Sequence, residues 1–455
     1  MNLISINPTN SKILKSYKEI SNDSINQIID SSYNTYLEWQ NKSISYRSEK
    51  MKNLAELLRL RKEELGSLMT REMGKPISQS IAEAEKCAWV CDYYADNAEQ
   101  FLSNKEISTD STKSFISFQP IGLVLAIMPW NFPFWQVFRF ASPTLMAGNV
   151  GILKHASNVQ GCAKEIEKLF LESGFPKHAF SNLVIGSNKV SNVIKNPLVR
   201  AVTLTGSTPA GKSVASLAGS LLKKTVLELG GNDPYVILED ADLDNAVDSC
   251  IAGRMLNTGQ SCIAAKRFIV VKPCLNDFID KVEQKIKNMK MGDPLDSTID
   301  IGPMVNNDAR DELHEQVLLS VDKGAILRSG GKIPDKEGSF YPPTLLTNVK
   351  PGMPAFDDEL FGPVAVIISA KDEDHAIELA NKTNYGLGAA IFTRDLDKGE
   401  KIATNKLEAG SCFVNDFVKS DPRLPFGGIK ESGYGRELSE YGLLEFVNIK
   451  SIVIR

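Results

Sequence analysis

"AVTLTGSTPAGKSV", residues 201–214, runs from a β-rich, apolar pentapeptide through Gly206 and Ser207 into the start of a helix. Gly206 permits a tight turn, and Ser207 can cap the helix while offering its hydroxyl and backbone N–H groups to an anion at the positive end. The GxGxxG spacing is missing, so a capped helix with no ligand is the plain alternative. The neighbouring segments decide the fold. "GLVLAIM" (122–128), "NVGILK" (149–154), "SNLVI" (181–185), "TVLEL" (225–229), "PYVIL" (234–238) and "RFIVV" (267–271) are short apolar runs separated by helical stretches. That alternation predicts parallel strands joined by right-handed crossovers, in an open α/β sheet covered on both faces.

Outside this core the pattern changes. Residues 45–103 read as two long amphipathic helices, with Met51, Leu54, Leu57, Leu58, Leu65 and Leu68 at helical spacing and "MGKP" (73–76) between them. Ile121 to Phe138 is apolar but is interrupted by Pro129, Asn131 and Pro133, so it reads as a strand, a loop and a helix, not as a membrane span. "TKSFISFQP" (112–120) and "EFVNIKSIVIR" (445–455) read as β segments at the margins, and long β arms invite pairing with a second chain.

Composition removes several classes of function. The 455 residues are 42% apolar and 24% charged, with a formal net charge of −4, which excludes a basic field for nucleic acid. No secretory signal opens the chain, which gives a cytoplasmic expectation, with no membrane partner. Seven scattered cysteines form no CxxC pair and four distant histidines share no ligand spacing, so neither a disulfide framework nor a metal site is expected.

Four further stretches carry groups suited to chemistry. In "NTGQSCIAAKRF" (257–268) Cys262 follows polar, turn-forming residues that suit a bend near solvent, whereas a packing cysteine normally sits in an apolar run. In "VLELGGNDP" (226–234) Glu228 precedes two glycines at a strand end, where a half-buried carboxylate would have a raised pKa. In "MPWNFPFWQVFRF" (128–140) Asn131 sits between two prolines, which stiffen the backbone carrying its amide, and Arg139 lies about two helical turns on. In "GILKHASN" (151–158) Lys154 and Ser157 stand where an acid would contact the ribose of NAD and repel the extra phosphate of NADP. Each has a bland alternative: a packing cysteine, a capping acid, a turn asparagine, a solvated strand end.

Together these stretches resemble the aldehyde dehydrogenase superfamily. "INPTN", "PWNFP", "GST" with Gly211, "LELGG", "NTGQSC", "DELFGP" and "PFGGIKESGYGRE" follow one another in the family's order along the whole chain. The resemblance implies a Rossmann-type dinucleotide-binding domain (1–104 and 120–228), an α/β catalytic domain (229–428) and a small β oligomerisation element (105–119 and 429–455). It implies Cys262 as nucleophile, Asn131 and the Cys262 N–H as oxyanion donors, and Glu228 as the base that releases the acid. For the cofactor it implies Ser207 and Gly206 at the pyrophosphate, Lys154 and Ser157 at the adenosine ribose, Trp130 at the adjoining wall, and Glu359 with Phe361 at the nicotinamide end. Ser157 replaces the glutamate of many NAD-preferring members, so NADP is expected, with NAD usable.

Within the family the chain looks most like the succinate-semialdehyde dehydrogenase branch. Arg139 then falls where a substrate carboxylate would be held, with Ser261, Ile263 and Ser420 in the pocket. Leu256 replaces a second arginine of some such enzymes, and whether Arg254 compensates is open. Glu440 in "SEYG" matches a second acid that some members use as a proton relay. The partners expected are a small aldehyde and further copies of the chain, as dimer or tetramer. The alternatives are a broad dehydrogenase for small aliphatic or hydroxylated aldehydes, an enzyme that passes the acyl group to coenzyme A, a cysteine hydrolase, and a non-enzymatic binding or structural protein, against which Cys262, Glu228 and Asn131 together speak. Glu228 speaks against the second, and the lack of a histidine motif near Cys262 against the third.

Overall fold

The computed structural model describes residues 2–455, so Met1 of the expected 1–104 segment lies outside the described residues. Its centre is a six-stranded sheet in the order Gly433–Tyr434, Lys224–Glu228, Val199–Thr205, Leu123–Met128, Val150–His155, Phe180–Asn182. All neighbours are parallel except Gly433–Tyr434, which runs antiparallel beside Lys224–Glu228. Leu123–Met128 was laid down first, and the chain added strands on one side before returning to the other. The resulting switch point lies between Leu123–Met128 and Val199–Thr205, and ligands of open α/β sheets bind outside the carboxyl ends of strands at such a point.

A second sheet of seven strands runs Ile326–Ser329, Thr344–Thr347, Val364–Ala370, Arg267–Val271, Pro234–Ile237, Gly388–Phe392, Ser411–Val414, with only the first of these antiparallel to its neighbour. The strands Pro234–Ile237 and Arg267–Val271 are buried at every residue, as expected where helices cover both faces. Each sheet has its own apolar core, and Ile263 and Ala309 pack against both.

Three expectations are corrected. Residues 44–102 form three helices, Ile44–Leu60, Lys62–Met73 and Ile77–Leu102, because the chain also breaks at Arg61. That side chain reaches across to Glu165 and Glu172, a bridge between elements that no local periodicity encodes. "SNLVI" is strand only as part of Phe180–Asn182. The two marginal β segments pair with each other, Lys113–Pro120 running antiparallel to Val447–Ile454, with Lys105–Glu106 on the far side. Gly433–Tyr434, inside the 429–455 segment, edges the six-stranded sheet.

The helix Trp135–Met146 is buried along its whole length, and its first turn is not capped by its own sequence. Glu83, from the helix Ile77–Leu102, accepts the backbone N–H groups of Phe134 and Trp135, each at 2.9 Å. A carboxylate at the positive end of the helix satisfies donors that would otherwise be orphaned. Buried Lys75 pairs with Glu83 in turn. This fixes the segment that carries Asn131 and Arg139 relative to the outer helices.

Candidate active site

Two cavities meet at Cys262. One, of about 230 Å³, is lined by Pro129, Trp130 and Asn131 after the first strand of the switch point, Thr205, Gly206 and Ser207 after the second, and Leu229, Gly230, Glu359 and Phe361. The other, of about 310 Å³, is walled chiefly by Phe132, Trp135, Ile263, Phe417 and Phe426, with Ser261, Ser420 and the charged residues described below. The thiol belongs to both linings.

The loop that carries the thiol has an unusual backbone. Asn257 and Thr258 adopt left-handed conformations (φ 54° and 56°), followed by Gly259 at φ 73°. Such non-glycine positions cost about 1–3 kcal/mol each and persist only where the surroundings over-determine them. Here they do. The Asn257 N–H donates to Gln79 Oε1 (2.7 Å), and its side-chain amide donates to the carbonyls of Asn131 (2.7 Å) and Gln260 (3.1 Å). The Thr258 hydroxyl binds the Gly302 backbone, and the Gln260 side chain accepts from Val305 N–H (2.9 Å). A Cβ on Gly259 would lie 2.3 Å from the Gly362 carbonyl oxygen, so glycine is required there. The expected bend near solvent is therefore corrected: residues 257–261 are buried, and their polar groups serve as anchors across the cleft.

Burial pushes the Cys262 thiol up to about 12, with the charges of Arg139 and Lys266 opposing the shift. The ligand-free thiol is thus protonated at neutral pH. Lys266 holds the loop from below, donating to the carbonyls of Ser261 (2.9 Å) and Cys262 (2.6 Å) and pairing with Glu359 (3.0 Å). Asn131 is buried with its amide donating to Gln260 O at 3.2 Å, which orients the group and leaves one amide hydrogen for a ligand.

Glu228 ends its strand with its carboxyl out of both linings and 2% exposed. Burial, and then the nearby charge of Glu437, hold its pKa well above the carboxylate range. A Cβ at Gly427 would sit 2.7 Å from its Oε1, so glycine there leaves it room. Glu437 is itself buried and ion-paired to Arg139.

The structure brings Trp130, Gly206, Ser207, Glu359 and Phe361 into the first cavity. Trp130 and Phe361 meet edge to face, with centroids 5.8 Å apart. Ser207 is exposed at the N-terminus of the helix Thr208–Ser220, and its hydroxyl makes no cap bond. Lys154 and Ser157 sit half-buried at the end of Val150–His155 and in the turn after it, outside that lining, with the Lys154 pKa lowered by burial. These residues fit a dinucleotide: the crevice lies at the switch point, an unsatisfied helix cap opens onto it, and no acid ends the second strand.

Arg139, Ser261, Ile263 and Ser420 all line the second cavity. Arg139 differs from expectation. Its guanidinium is 2% exposed, paired with Glu437, 3.3 Å from Thr205 Oγ1 and stacked on Phe426. Arg254 does not compensate for Leu256. It is fully buried and donates to the carbonyls of Val364, Leu360 and Gly362, which braces the loop carrying Glu359 and Phe361. The relay expectation for Glu440 is also corrected. Its side chain is partly exposed, ion-paired to Lys105 (2.8 Å), and lines neither cavity. Glu437, three residues earlier, is the acid beside Glu228; it was in plain view at the end of "PFGGIKESGYGRE". Lys266 and Asn257 were likewise inside a quoted stretch, without a local signal of their contacts. Among the described residues no cluster suited to a metal ion occurs, and no helix is long and apolar enough to cross a membrane.

Comparison with known proteins agrees with this geometry. The sequence pattern of the aldehyde dehydrogenase family matches residues 2–452. A probable NADP-dependent succinate-semialdehyde dehydrogenase of Synechocystis sp. is 47% identical over 100% of both chains. A succinate semialdehyde dehydrogenase of Escherichia coli, named for NAD or NADP, is 45% identical over 99% of this chain and 97% of its own. Among solved structures, succinic semialdehyde dehydrogenase from Streptococcus pyogenes in complex with NADP+ superposes with a TM-score of 0.97 at 37% identity, covering 99% of each chain.

A thiol so high in pKa gives a direct expectation. Inactivation of the ligand-free protein by iodoacetamide should accelerate about tenfold per pH unit between about pH 7 and about pH 9, because only the thiolate attacks. A rate already level near neutrality would show that the thiol is ionised at rest.

Proposed function

The chain belongs to the aldehyde dehydrogenase family, and from that premise we propose that it oxidises succinic semialdehyde to succinate, with NADP preferred over NAD. The observation that carries the reaction is the single thiol shared by a crevice at the sheet's switch point and an aromatic-walled pocket.

The substrate aldehyde enters the larger cavity, and the thiolate form of Cys262, its proton lost to water, attacks the carbonyl carbon, forming a C–S bond while the carbonyl π pair moves onto oxygen as an oxyanion. The free amide hydrogen of Asn131 and the Cys262 backbone N–H stabilise that oxyanion, as fixed donors do in a water-poor site. When bound, NADP supplies the hydride acceptor that turns the thiohemiacetal into a thioester. Ser207, Lys154, Ser157 and Glu359 are the residues that would hold it. Glu228 then removes a proton from water, the water oxygen bonds to the acyl carbon, and the C–S bond breaks to release the acid and restore the thiol. The raised pKa of Glu228 means that its basic form grows as pH rises, so this last step accelerates with pH.

The named activity of the relatives supports the choice of substrate, as does a pocket that combines apolar walls with cationic side chains. Ser157 and Lys154, in place of an acid, support NADP. A broad small-aldehyde dehydrogenase is favoured by one observation, the apolar Leu256 in the pocket wall.

Initial rates with succinic semialdehyde, glyceraldehyde, propanal and butanal separate the two. The proposal expects kcat/KM for succinic semialdehyde to exceed the others by about tenfold or more, roughly 1.4 kcal/mol of transition-state preference, and NADP to outperform NAD. A flat panel would mean a generalist.

Assembly as a homo-oligomer is part of the same proposal. It is supported by the three-stranded arm, on which Ile449, Val453 and Ile454 are exposed apolar residues of an outer strand. Light scattering at micromolar protein should give the mass of a dimer or tetramer; a monomer would refute it.

A further inference from the structure

The larger cavity is lined by four charged side chains, and three of them are already matched. Glu83 accepts from two backbone N–H groups and pairs with Lys75. Arg139 is paired with Glu437, and Lys419 with Asp416 at 2.6 Å. Lys86 is the remaining one. Its ammonium donates to the Ser420 hydroxyl at 2.9 Å and lies 4.4 Å from the Trp135 ring centroid, and among the described residues it has no carboxylate within ion-pair distance.

A half-buried cation without a counter-ion is unfavourable in the empty pocket and favourable once an anion arrives. Burial and the charge of Arg139 lower the Lys86 pKa to about 8, which is the signature of such a site. The geometry also suits a carboxylate. An ammonium has three donors, of which Ser420 takes one. Because the Ser420 oxygen accepts from Lys86, its own hydrogen is free to donate to a second carboxylate oxygen.

We propose that Lys86, acting with Ser420, binds the carboxylate at the far end of the substrate, in the same cavity lining as Arg139. This rests on succinic semialdehyde being the substrate. Lys86 approaches from the helix Ile77–Leu102, whereas the thiol comes from the loop before Arg267–Val271, so the two ends of a short chain are held by separate domains. The ammonium of Lys86 sits over the Trp135 ring, and the aromatic walls exclude water from the ion pair, which strengthens it.

Kinetics of Lys86→Met with succinic semialdehyde and with butanal, which lacks the carboxylate, test this. The expected result is a fall in kcat/KM for succinic semialdehyde of about tenfold or more, carried mainly by KM, with butanal changed less than about twofold. Lys86→Arg, which keeps a cation, should retain most of the preference. Equal losses on both substrates, or an unchanged preference for succinic semialdehyde, would overturn the proposal. If Lys86→Met proves too unstable to assay, the arginine variant and Ser420→Ala decide it: the preference must survive the first and weaken in the second. Wild-type enzyme with no preference for succinic semialdehyde would instead sink the substrate assignment itself. A wild-type preference that persists in Lys86→Met removes only the role of Lys86. Titration of succinate into the NADP-free protein gives an independent readout, with binding expected for wild type and lost in Lys86→Met.

Discussion

The site depends on the amide of Asn257. One side chain, in a left-handed stretch of loop, donates to the carbonyl of Asn131 in the nucleotide-binding half and to Gln260 beside the nucleophile, while its backbone N–H is held by Gln79 from the outer helices. Three parts of the chain far apart in sequence are thereby brought to one point. The strain of the left-handed run is offset by these buried hydrogen bonds, each of which would leave an unsatisfied polar group if broken. The consequence is positional: the thiol and the oxyanion donor are fixed to each other before any ligand arrives, which is the condition for preorganised catalysis.

Electrostatics divides the labour around that point. Burial pushes the Cys262 thiol up to about 12 and holds Glu228 well above the carboxylate range, so the ligand-free site disfavours charge on either reactive group. The buried cations are mostly structural. Arg254 and Arg267 hold backbone carbonyls, Lys266 ties the cysteine loop to Glu359, and Arg139 neutralises Glu437. A protonated Cys262 also reacts slowly with adventitious electrophiles and oxidants, so the resting enzyme is protected by the same burial that its chemistry must overcome.

Much of this was legible in the sequence. Apolar runs at regular intervals identify a buried parallel sheet whatever the protein does, and the residues that must touch reactants lie in short stretches of unusual composition. The failures have a common cause. The break at Arg61 and the contacts of Arg139 and Arg254 are set by partners distant along the chain, Glu165, Glu437 and the Leu360–Val364 backbone. Glu440 and Glu437 are three residues apart, and only their distant partners, Lys105 for the first and buried Arg139 for the second, show which of them turns inward. Lys86 carries no local signal, since a lysine on an amphipathic helix is ordinary until the opposite wall of its pocket is seen. The burial of residues 257–261 was missed because polar turn residues suit solvent equally well; their hydrogen bonds to Gln79, Asn131 and Gly302 are tertiary.

The central claim is that one thiol, placed where two cavities join, carries the acyl group. Acid-quenching the enzyme during turnover of succinic semialdehyde with NADP, below neutral pH where Glu228 is a poor base, and mapping its peptides by mass spectrometry measures this directly. The account predicts a succinyl increment on the peptide that carries Cys262 and on no other. An increment on the peptide of the other half-buried cysteine, Cys412, or turnover with no acylated cysteine under conditions that slow deacylation, would contradict it.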